Sequence, residues 1–568
     1  MPDSLYDATT IWELVERRAA LSPDSPMLVD ASDGRLSFGE LARRAEQMAA
    51  ALFSLGVRES TPVTWQLPSS IDTVVLAVAL ARLGALQNPI LHIYRSREVA
   101  VALKGMGSEL FVIPGAWRGV DYGEIAQSAI EGLGSPPRVV TLEEIGLGDA
   151  GLLPPFGSLA ATASDAGSGT GTGTGTESGT AGASTGGGGG GHESGGNGRE
   201  PRSQSDDGPA DDPVRWIYYT SGTTSEPKGV RHSDGTLLAG GKGLALALGL
   251  EPDDVGSIAF PFAHIAGPDY LVTMLLSGIS AVILDTFVPA EAVEIFRRHK
   301  VTLAGGSTAF YQALLNEQRK SPGEPIIPSL RLLAGGGAAK PAEVFHAARG
   351  ELGVPIAHGY GMTEVPMITQ GSPTDSDEQL IETEGAPVSG AHLRIVRADG
   401  TEAATGESGE VRVAGPMVAK GYTDPAADAE AFDDSGYFRT GDLGYLRADG
   451  HLTLTGRLKD VIIRKGENIS AREIEELLIG HPKVGDVAVV GLPDSERGER
   501  VCAVVERVPG EQDLTFEEMT SRLRDAGLMI QKIPEQLEVV DSFPRNEALR
   551  KTLKYKLRSD LAARPWPS

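Results

Sequence analysis

The chain has 568 residues, with 77 Asp and Glu against 51 Lys and Arg, a formal net charge of −26, and 40% hydrophobic against 23% charged residues. That length allows several domains and that hydrophobic share lets most of the chain bury a core, which excludes wholesale disorder, while the acidic balance excludes the basic face that sequence-independent nucleic-acid binding needs. Cys502 is the single cysteine, so neither an intramolecular disulfide nor a cysteine metal cluster forms, which fits a reducing, cytoplasmic setting.

The N-terminal stretch MPDSLYDATTIWELVERR lacks a basic segment followed by an apolar run and does not read as a secretory signal. Ser37 and Glu40 have the Ser-x-x-Glu spacing of a helix start, Leu41, Met48, Leu52 and Leu55 then fall on one face, and Gly56 is the stop. A strand over 63–68, a helix over 74–83 and a strand over 109–115 follow, an alternation that implies parallel sheet with helical crossovers. The most apolar run, Ile71 to Leu86, is broken by Arg82 and is shorter than the ~20 residues a bilayer needs. It reads as a buried helix, and no transmembrane segment is expected.

From about 158 to 212 the composition collapses to Gly, Ser and Thr, which reads as a disordered insert with a solvated His192. Lengthening a loop tenfold costs only about 2 kcal/mol of closure entropy, so a folded domain can carry it on its surface. Beyond the insert, VGSIAFPF, GISAVILD, VTLAGGS, LRLLAGGG and VPIAHGYG are short apolar runs ending in small residues, the pattern of strand ends facing one crevice. From about 385 to 445 the pattern turns hairpin-like, with Asp-Gly turn chemistry. An α+β unit fits from Asp460 onward, with EIEELLIGH as helix and DVAVVGLP and VCAVVERV as strands.

The densest chemistry is YYTSGTTSEPKGV, Tyr218 to Val230, directly after a strand-like run. Backbone N–H groups exposed by Gly222, and hydroxyls of Thr220, Ser221, Thr223 and Thr224, suit phosphate oxygens, and Lys228 adds a point charge. No Gly-Lys-Ser/Thr occurs, so it is not a Walker loop.

Five further segments follow in order: PFAHIAG at 261–267, AGGGAAK at 334–340, HGYGMTE at 358–364, RTGDLG at 439–444 and GRLKDVIIRKGENISAREIE at 456–475. With the phosphate loop they resemble the adenylate-forming (AMP-binding) superfamily, specifically the AMP-forming acyl-CoA and aryl-CoA synthetases, over nearly the whole chain outside the insert. The resemblance implies an α/β fold. A large N-terminal adenylation domain, residues 1–458, has parallel-type sheets with helices and a small hairpin-rich subdomain; a small mobile α+β C-terminal domain, 459–568, is hinged at Lys459. It implies ATP, Mg²⁺ and CoA as cofactors and a small-molecule carboxylic acid as substrate. Within HGYGMTE (His358, Gly359, Tyr360, Gly361, Met362, Thr363, Glu364), Tyr360 matches one side of an adenine site and Gly336, Gly337 and Ala338 the other. Thr363 matches the contact to the α-phosphate and Glu364 the Mg²⁺ ligand. Asp442 and Arg457 match ribose contacts, His264 lies at the acid, and Lys465 and Gly466 match the approach of the pantetheine arm.

The family's catalytic lysine near the C-terminus falls in FPRNEALRKTLKYKLR, which departs from the family pattern: it has no Gly and one extra residue. Alignment from the right selects Lys551; alignment from the left selects Arg550, and the ungapped tail favours Lys551. Ser225 stands where the family loop has Gly, a substitution expected to lower activity. Small residues Ala263, Ala266, Gly267, Gly305, Gly306 and Gly335 predict a roomy acyl pocket for a medium-chain, alicyclic or aromatic acid. Asp269 either lines that pocket or caps a helix. An amino-acid substrate is disfavoured, since Phe262-Ala263-His264-Ile265 lacks the Asp such relatives carry. Transfer to CoA is the leading reading, since the chain ends at Ser568 without a carrier domain. Loading of a carrier protein, and a low-turnover acyl-adenylate-binding protein, are the alternatives.

Overall fold

The computed structural model describes residues 3–156, 212–220, 228–338, 340–464, 467–494, 497–545 and 552–564. The expected insert lies outside these residues except for Asp212, as do Ser221 to Ser225, Lys465, Gly466, Arg550 and Lys551. Asp212 is not part of a solvated tether: its carboxylate accepts from Ser233 Oγ at 2.7 Å and pairs with Lys420 at 2.8 Å.

Three sheets build the N-terminal part. A six-stranded sheet runs in the order Lys228–Ser233, Val214–Thr220, Leu86–Pro89, Pro62–Trp65, Leu110–Ile113, Arg138–Thr141, parallel except for its first pair. A four-stranded sheet orders Val255–Ile258, Ser280–Ile283, Pro26–Asp30 and Arg35–Ser37. A five-stranded sheet orders Leu303–Gly306, Leu332–Gly336, Ile356–Met362, Val365–Gln370 and Ala386–Pro387, with the first three parallel and the rest antiparallel. Leu110–Ile113 is buried at every position, as expected of parallel strands covered on both faces.

The helices cover these sheets for reasons visible in their sequences. Phe38–Ser54 starts in a complete capping box between Ser37 and Glu40 and buries Phe38, Leu41, Ala45, Met48 and Leu52. Ile71–Leu83 buries every residue except Asp72, the mark of an interior helix. Trp65 stacks on Phe262 with centroids 6.4 Å apart, locking the six-stranded sheet to the 261–267 segment. One apolar cluster runs through all three sheets, from Leu5 to Leu380.

The hairpin-like region is an antiparallel meander of His392–Val396, Gly409–Ala414, Phe438–Leu446 and Leu452–Arg457, reaching twelve residues beyond the expected end at 445. Gly409–Ala414 alternates strictly between buried and half-buried, and its inward Val411 and Val413 share a cluster with Val230, Tyr360 and Val365. From Val461 onward a mixed sheet, Glu467–Ser470, Val461–Arg464, Gly498–Arg507, Val484–Asp494, with Gln536–Val540 beside Gly498–Arg507, packs on helices Ala471–Ile479 and Phe516–Asp525 around its own cluster. Helix Ala471–Ile479 starts earlier than EIEELLIGH suggests, because Ser470 Oγ accepts from the Glu473 N–H and caps it. Among the described residues no helix is long and apolar enough to cross a membrane.

Candidate active site

Strands Val214–Thr220 and Lys228–Ser233 pair antiparallel with Thr220 opposite Lys228, so the phosphate loop leaves and returns at one point of the sheet. Thr220 Oγ1 donates to Lys228 O at 3.4 Å. Segment 420–423 lines the outer edge of the returning strand: Lys420 N donates to Arg231 O, Arg231 N to Gly421 O and Thr423 N to Gly229 O, at 2.7–2.8 Å. That pairing sets the Tyr422 ring 5.2 Å from Lys228 Nζ, within cation–π range.

Thr363 and Glu364 form the two-residue turn between Ile356–Met362 and Val365–Gln370, where Met362 pairs with Val365. The turn is tethered from outside. Glu364 O accepts from Ala419 N at 2.8 Å, and Glu364 Oε1 accepts from Tyr422 Oη at 2.8 Å. Burial, reinforced by the Glu364 charge, pushes the Tyr422 phenol far up, so it remains a donor. Thr363 O lies 2.7 Å from His232 Nε2, and His232 Nδ1 lies 2.8 Å from Thr236 Oγ1. A carbonyl only accepts, so Nε2 carries the proton; in the neutral ring Nδ1 then accepts from Thr236, whose hydroxyl also lies 2.9 Å from Ser233 O. Burial holds the His232 pKa down at about 4, leaving a neutral ring. Sequence reasoning passed over both His232 and Tyr422. For His232 a signal existed, a polar residue at an inward strand position beside Val230; Tyr422 left none.

Asp442, 3% exposed, is the next fixed point. It stands opposite Arg457 across the meander, and Arg457 Nε reaches its Oδ1 at 2.7 Å while Tyr360 Oη donates to its Oδ2 at 2.6 Å. Burial and then the Asp442 charge push the Tyr360 phenol up. His358 turns inward: its Nε2 lies 2.8 Å from Ala338 O, so the ring braces the loop of Gly336, Gly337 and Ala338 from beneath. Gly336 pairs with Gly359 and Gly335 with His358 across parallel strands, which brings the 334–340 segment beside HGYGMTE. Gly361 lies on the same strand, and a Cβ there would strike Pro366 O.

On the side assigned to the acid, the turn at 261–267 is closed by His264 N to Pro261 O at 2.9 Å and Gly267 N to His264 O at 2.8 Å, and Ala266 N donates to His264 Nδ1 at 3.3 Å. Three of the small residues do not leave pocket volume as expected. A Cβ at Gly305 would collide with Ala334 O, one at Gly335 with Gly306 O, and one at Gly267 with Phe262 O. These glycines admit neighbouring backbone, and Gly305 adopts φ +159°, open to glycine. Nor is Asp269 a cap: Ile265 holds the N-cap position of helix Ala266–Ser277, and Asp269 is 3% exposed with its Oδ1 against Gly240 and without a hydrogen-bond partner. Burial pushes its pKa up to about 8. Tyr218 Oη, raised by the same burial and by the Asp269 charge, is also without a partner.

Lys459 lies in the short turn Leu458–Asp460, immediately after the strand that ends in Arg457. Beyond it, Arg472 Nη2 reaches Glu384 Oε1 at 3.0 Å, and Glu384 Oε2 is 3.8 Å from His358 Nε2. Lys340 closes this buried group by donating to Leu380 O and Ile381 O; burial pulls its pKa down to about 8.

A family model described as AMP-binding enzyme matches residues 15–423, and one described as AMP-binding enzyme C-terminal domain matches 473–549. The chain is 26% identical to the medium-chain fatty-acid–CoA ligase of Escherichia coli K12, over 99% of this chain and 92% of that protein. It is 32% identical to the salicyl-AMP ligase / salicyl-S-ArCP synthetase of Mycobacterium tuberculosis, over 95% of this chain and 88% of that protein. ATP-bound MatB from Rhodopseudomonas palustris has a TM-score of 0.77 at 26% identity, covering 97% of this chain and 99% of that one. With a matched model over well more than half its length, its motifs in order, and this architecture, the chain belongs to the AMP-binding enzymes of the adenylate-forming superfamily.

Proposed function

We propose that the protein is an AMP-forming carboxylate:CoA ligase acting on a medium-chain, alicyclic or aromatic acid. The observation that carries this reading is the pairing of two fixed groups: Asp442 held between Tyr360 and Arg457, and the Thr363–Glu364 turn tethered by His232 and Tyr422 next to Lys228.

In the first half-reaction a carboxylate oxygen of the acid bonds to the α-phosphorus of ATP, the bond to the bridging oxygen breaks, and pyrophosphate leaves. Two anions meet, so donors and positive charge fixed in advance lower the barrier. Asp442 keeps acceptor lone pairs beyond those engaged by Tyr360 and Arg457, which suits ribose hydroxyls. The Tyr360 ring and the Gly336 to Ala338 backbone flank adenine, with His358 and Gly359 holding that backbone. Thr363 donates to the α-phosphate, and Thr220, Ser221, Gly222, Thr223, Thr224 and Lys228 cradle the others. Glu364 fits Mg²⁺, which takes one or two carboxylates plus phosphates and water; one of its oxygens is already oriented by Tyr422. When bound, the ion neutralises phosphate charge. His264 borders the acid, and Lys551 meets the charge developing on the α-phosphate.

In the second half-reaction the CoA sulfur bonds to the acyl carbon, the bond to the AMP oxygen breaks, and the thiol proton passes to solvent. We place the hinge at Lys459, the boundary at about residue 458, and Lys465 and Gly466 at the pantetheine arm. The single cysteine, Cys502, is buried and unpaired, which suits the cytoplasm. Loading of a carrier protein is the second reading, favoured by the 32% identity to the salicyl-S-ArCP synthetase. The test is acid-dependent pyrophosphate release across a panel of carboxylates, then acyl-CoA and AMP formation with CoA. Pyrophosphate release without any CoA-dependent product would favour the carrier reading.

A further inference from the structure

We propose that His232 is a positioning residue for adenylation, a strut that ties the strand leaving the phosphate loop to the turn carrying Thr363 and Glu364, so that the two halves of the phosphate site keep one spacing. The inference rests on the adenylation reading above.

His232 lies on Lys228–Ser233, four residues after Lys228, and is 0% exposed. Both ring nitrogens are engaged, at 2.7 Å by Thr363 O and 2.8 Å by Thr236 Oγ1, and the Tyr218 ring stands edge-on 6.4 Å away. Such a ring is shut off from solvent and from any ligand, so whatever it contributes passes through the groups it holds, of which Thr363 is the one at the phosphate site.

The turn needs that support. Two-residue hairpin turns favour positive φ at one or both central positions, and neither Thr363 nor Glu364 adopts it. The strand before it carries a register shift between Tyr360 and Met362. Its position is therefore fixed from outside, by Ala419 N and Tyr422 Oη at Glu364 and by His232 at Thr363. Of these tethers, His232 belongs to the strand that the phosphate loop itself enters. Because the neutral ring donates through Nε2, it holds the Thr363 carbonyl without adding positive charge that would compete with Mg²⁺ for phosphate.

The test uses the full-length wild type with His232→Gln, His232→Asn and His232→Phe. A Gln amide reaches the position of Nε2 and restores the bond to Thr363 O; Asn stops near Nδ1; Phe fills the volume and bonds neither partner. In acid-dependent ATP–pyrophosphate exchange, kcat should fall roughly 10- to 100-fold for Phe and Asn, with KM for ATP changed less than about threefold, and Gln should recover most of the loss. Nitrogen-15 imidazole shifts at pH 7.5, with the His232 signal identified by its absence in the Phe variant, should show a neutral ring protonated at Nε2. Equal losses in Gln and Phe, a change confined to KM, or full activity in all three would overturn the strut. So would an Nδ1-protonated or charged ring, a readout that needs no turnover. Absence of exchange in the wild type with every acid would instead overturn the adenylation reading, and the imidazole signature tells the two failures apart.

Discussion

Replacing Asp269 with Asn should make the protein more resistant to unfolding as pH rises. The carboxyl is buried against Gly240 with an unpartnered Oδ1, and its pKa is raised from an ordinary 3.8 to about 8. An acid whose folded pKa lies above its unfolded value is protonated in the folded chain and ionised in the unfolded one between those limits. The contribution of this group to stability is then greatest below pH 4 and falls by about 1.4 kcal/mol per pH unit up to about pH 8. From pH 5.5 to 7.5 the wild type should lose about 2.5 kcal/mol through this one group, and the isosteric, neutral amide should lose none of it. The assay is a thermal melt of both proteins at pH 5.5, 6.5 and 7.5 at one scan rate, since a chain of this size need not unfold in two states. A constant offset between the curves reflects only the exchange of amide for carboxyl. The expected signature is a gap that widens with pH by a few degrees. A gap that stays constant or narrows would mean that Asp269 is ionised and paired in the folded chain, refuting the reasoning.

Other outcomes follow from the remaining buried and hinge groups. Arg472→Ala leaves the Glu384 carboxylate buried without its partner and should cost about 2 to 4 kcal/mol in denaturant unfolding. The double change Arg472→Met with Glu384→Gln should recover most of that, and a double variant no better than the single would reject the pairing. Lys551→Ala should slow acid-dependent pyrophosphate release by roughly 10² to 10³, about 3 to 4 kcal/mol of transition-state stabilisation; a larger loss in Arg550→Ala would shift the role to Arg550. Proline at 459 fixes φ near −65°. Lys459→Pro should spare adenylation and abolish thioester formation from supplied acyl-AMP, and equal loss of both in a folded variant would argue against a hinge there.

The fold was largely legible because its signals are local. Ser37 and Glu40 announce their helix through a spacing of three, and the largely apolar run of Ile71–Leu83, broken only by Asp72, Thr73 and Arg82, announces an interior helix. Asp442 and Arg457 stand out as candidates through motif order, and the structure sets them opposite each other on adjacent strands. What escaped depends on groups far apart in the chain. His232 meets Thr363 across 131 positions and Tyr422 meets Glu364 across 58. The glycines at 305 and 335 were misread as leaving pocket volume, since composition does not say which way the missing Cβ would point. Asp269 was open to a capping role because the helix start depends on the turn at His264, a tertiary feature.

The position of Arg457 has a mechanical consequence. The ladder between Phe438–Leu446 and Leu452–Arg457 ends on the Asp442–Arg457 pair, two residues before Lys459. Backbone torsion introduced at 459 cannot travel back through residues clamped by cross-strand hydrogen bonds and a carboxylate–guanidinium contact. If the chain turns at Lys459 as proposed, the last rung of the ladder would serve as a fulcrum, with the chain beyond it as the lever. A nucleotide gripped by Asp442 would stay seated through a swing of the lever, and substitutions at Lys459 should leave its dissociation rate untouched while those at Arg457 raise it.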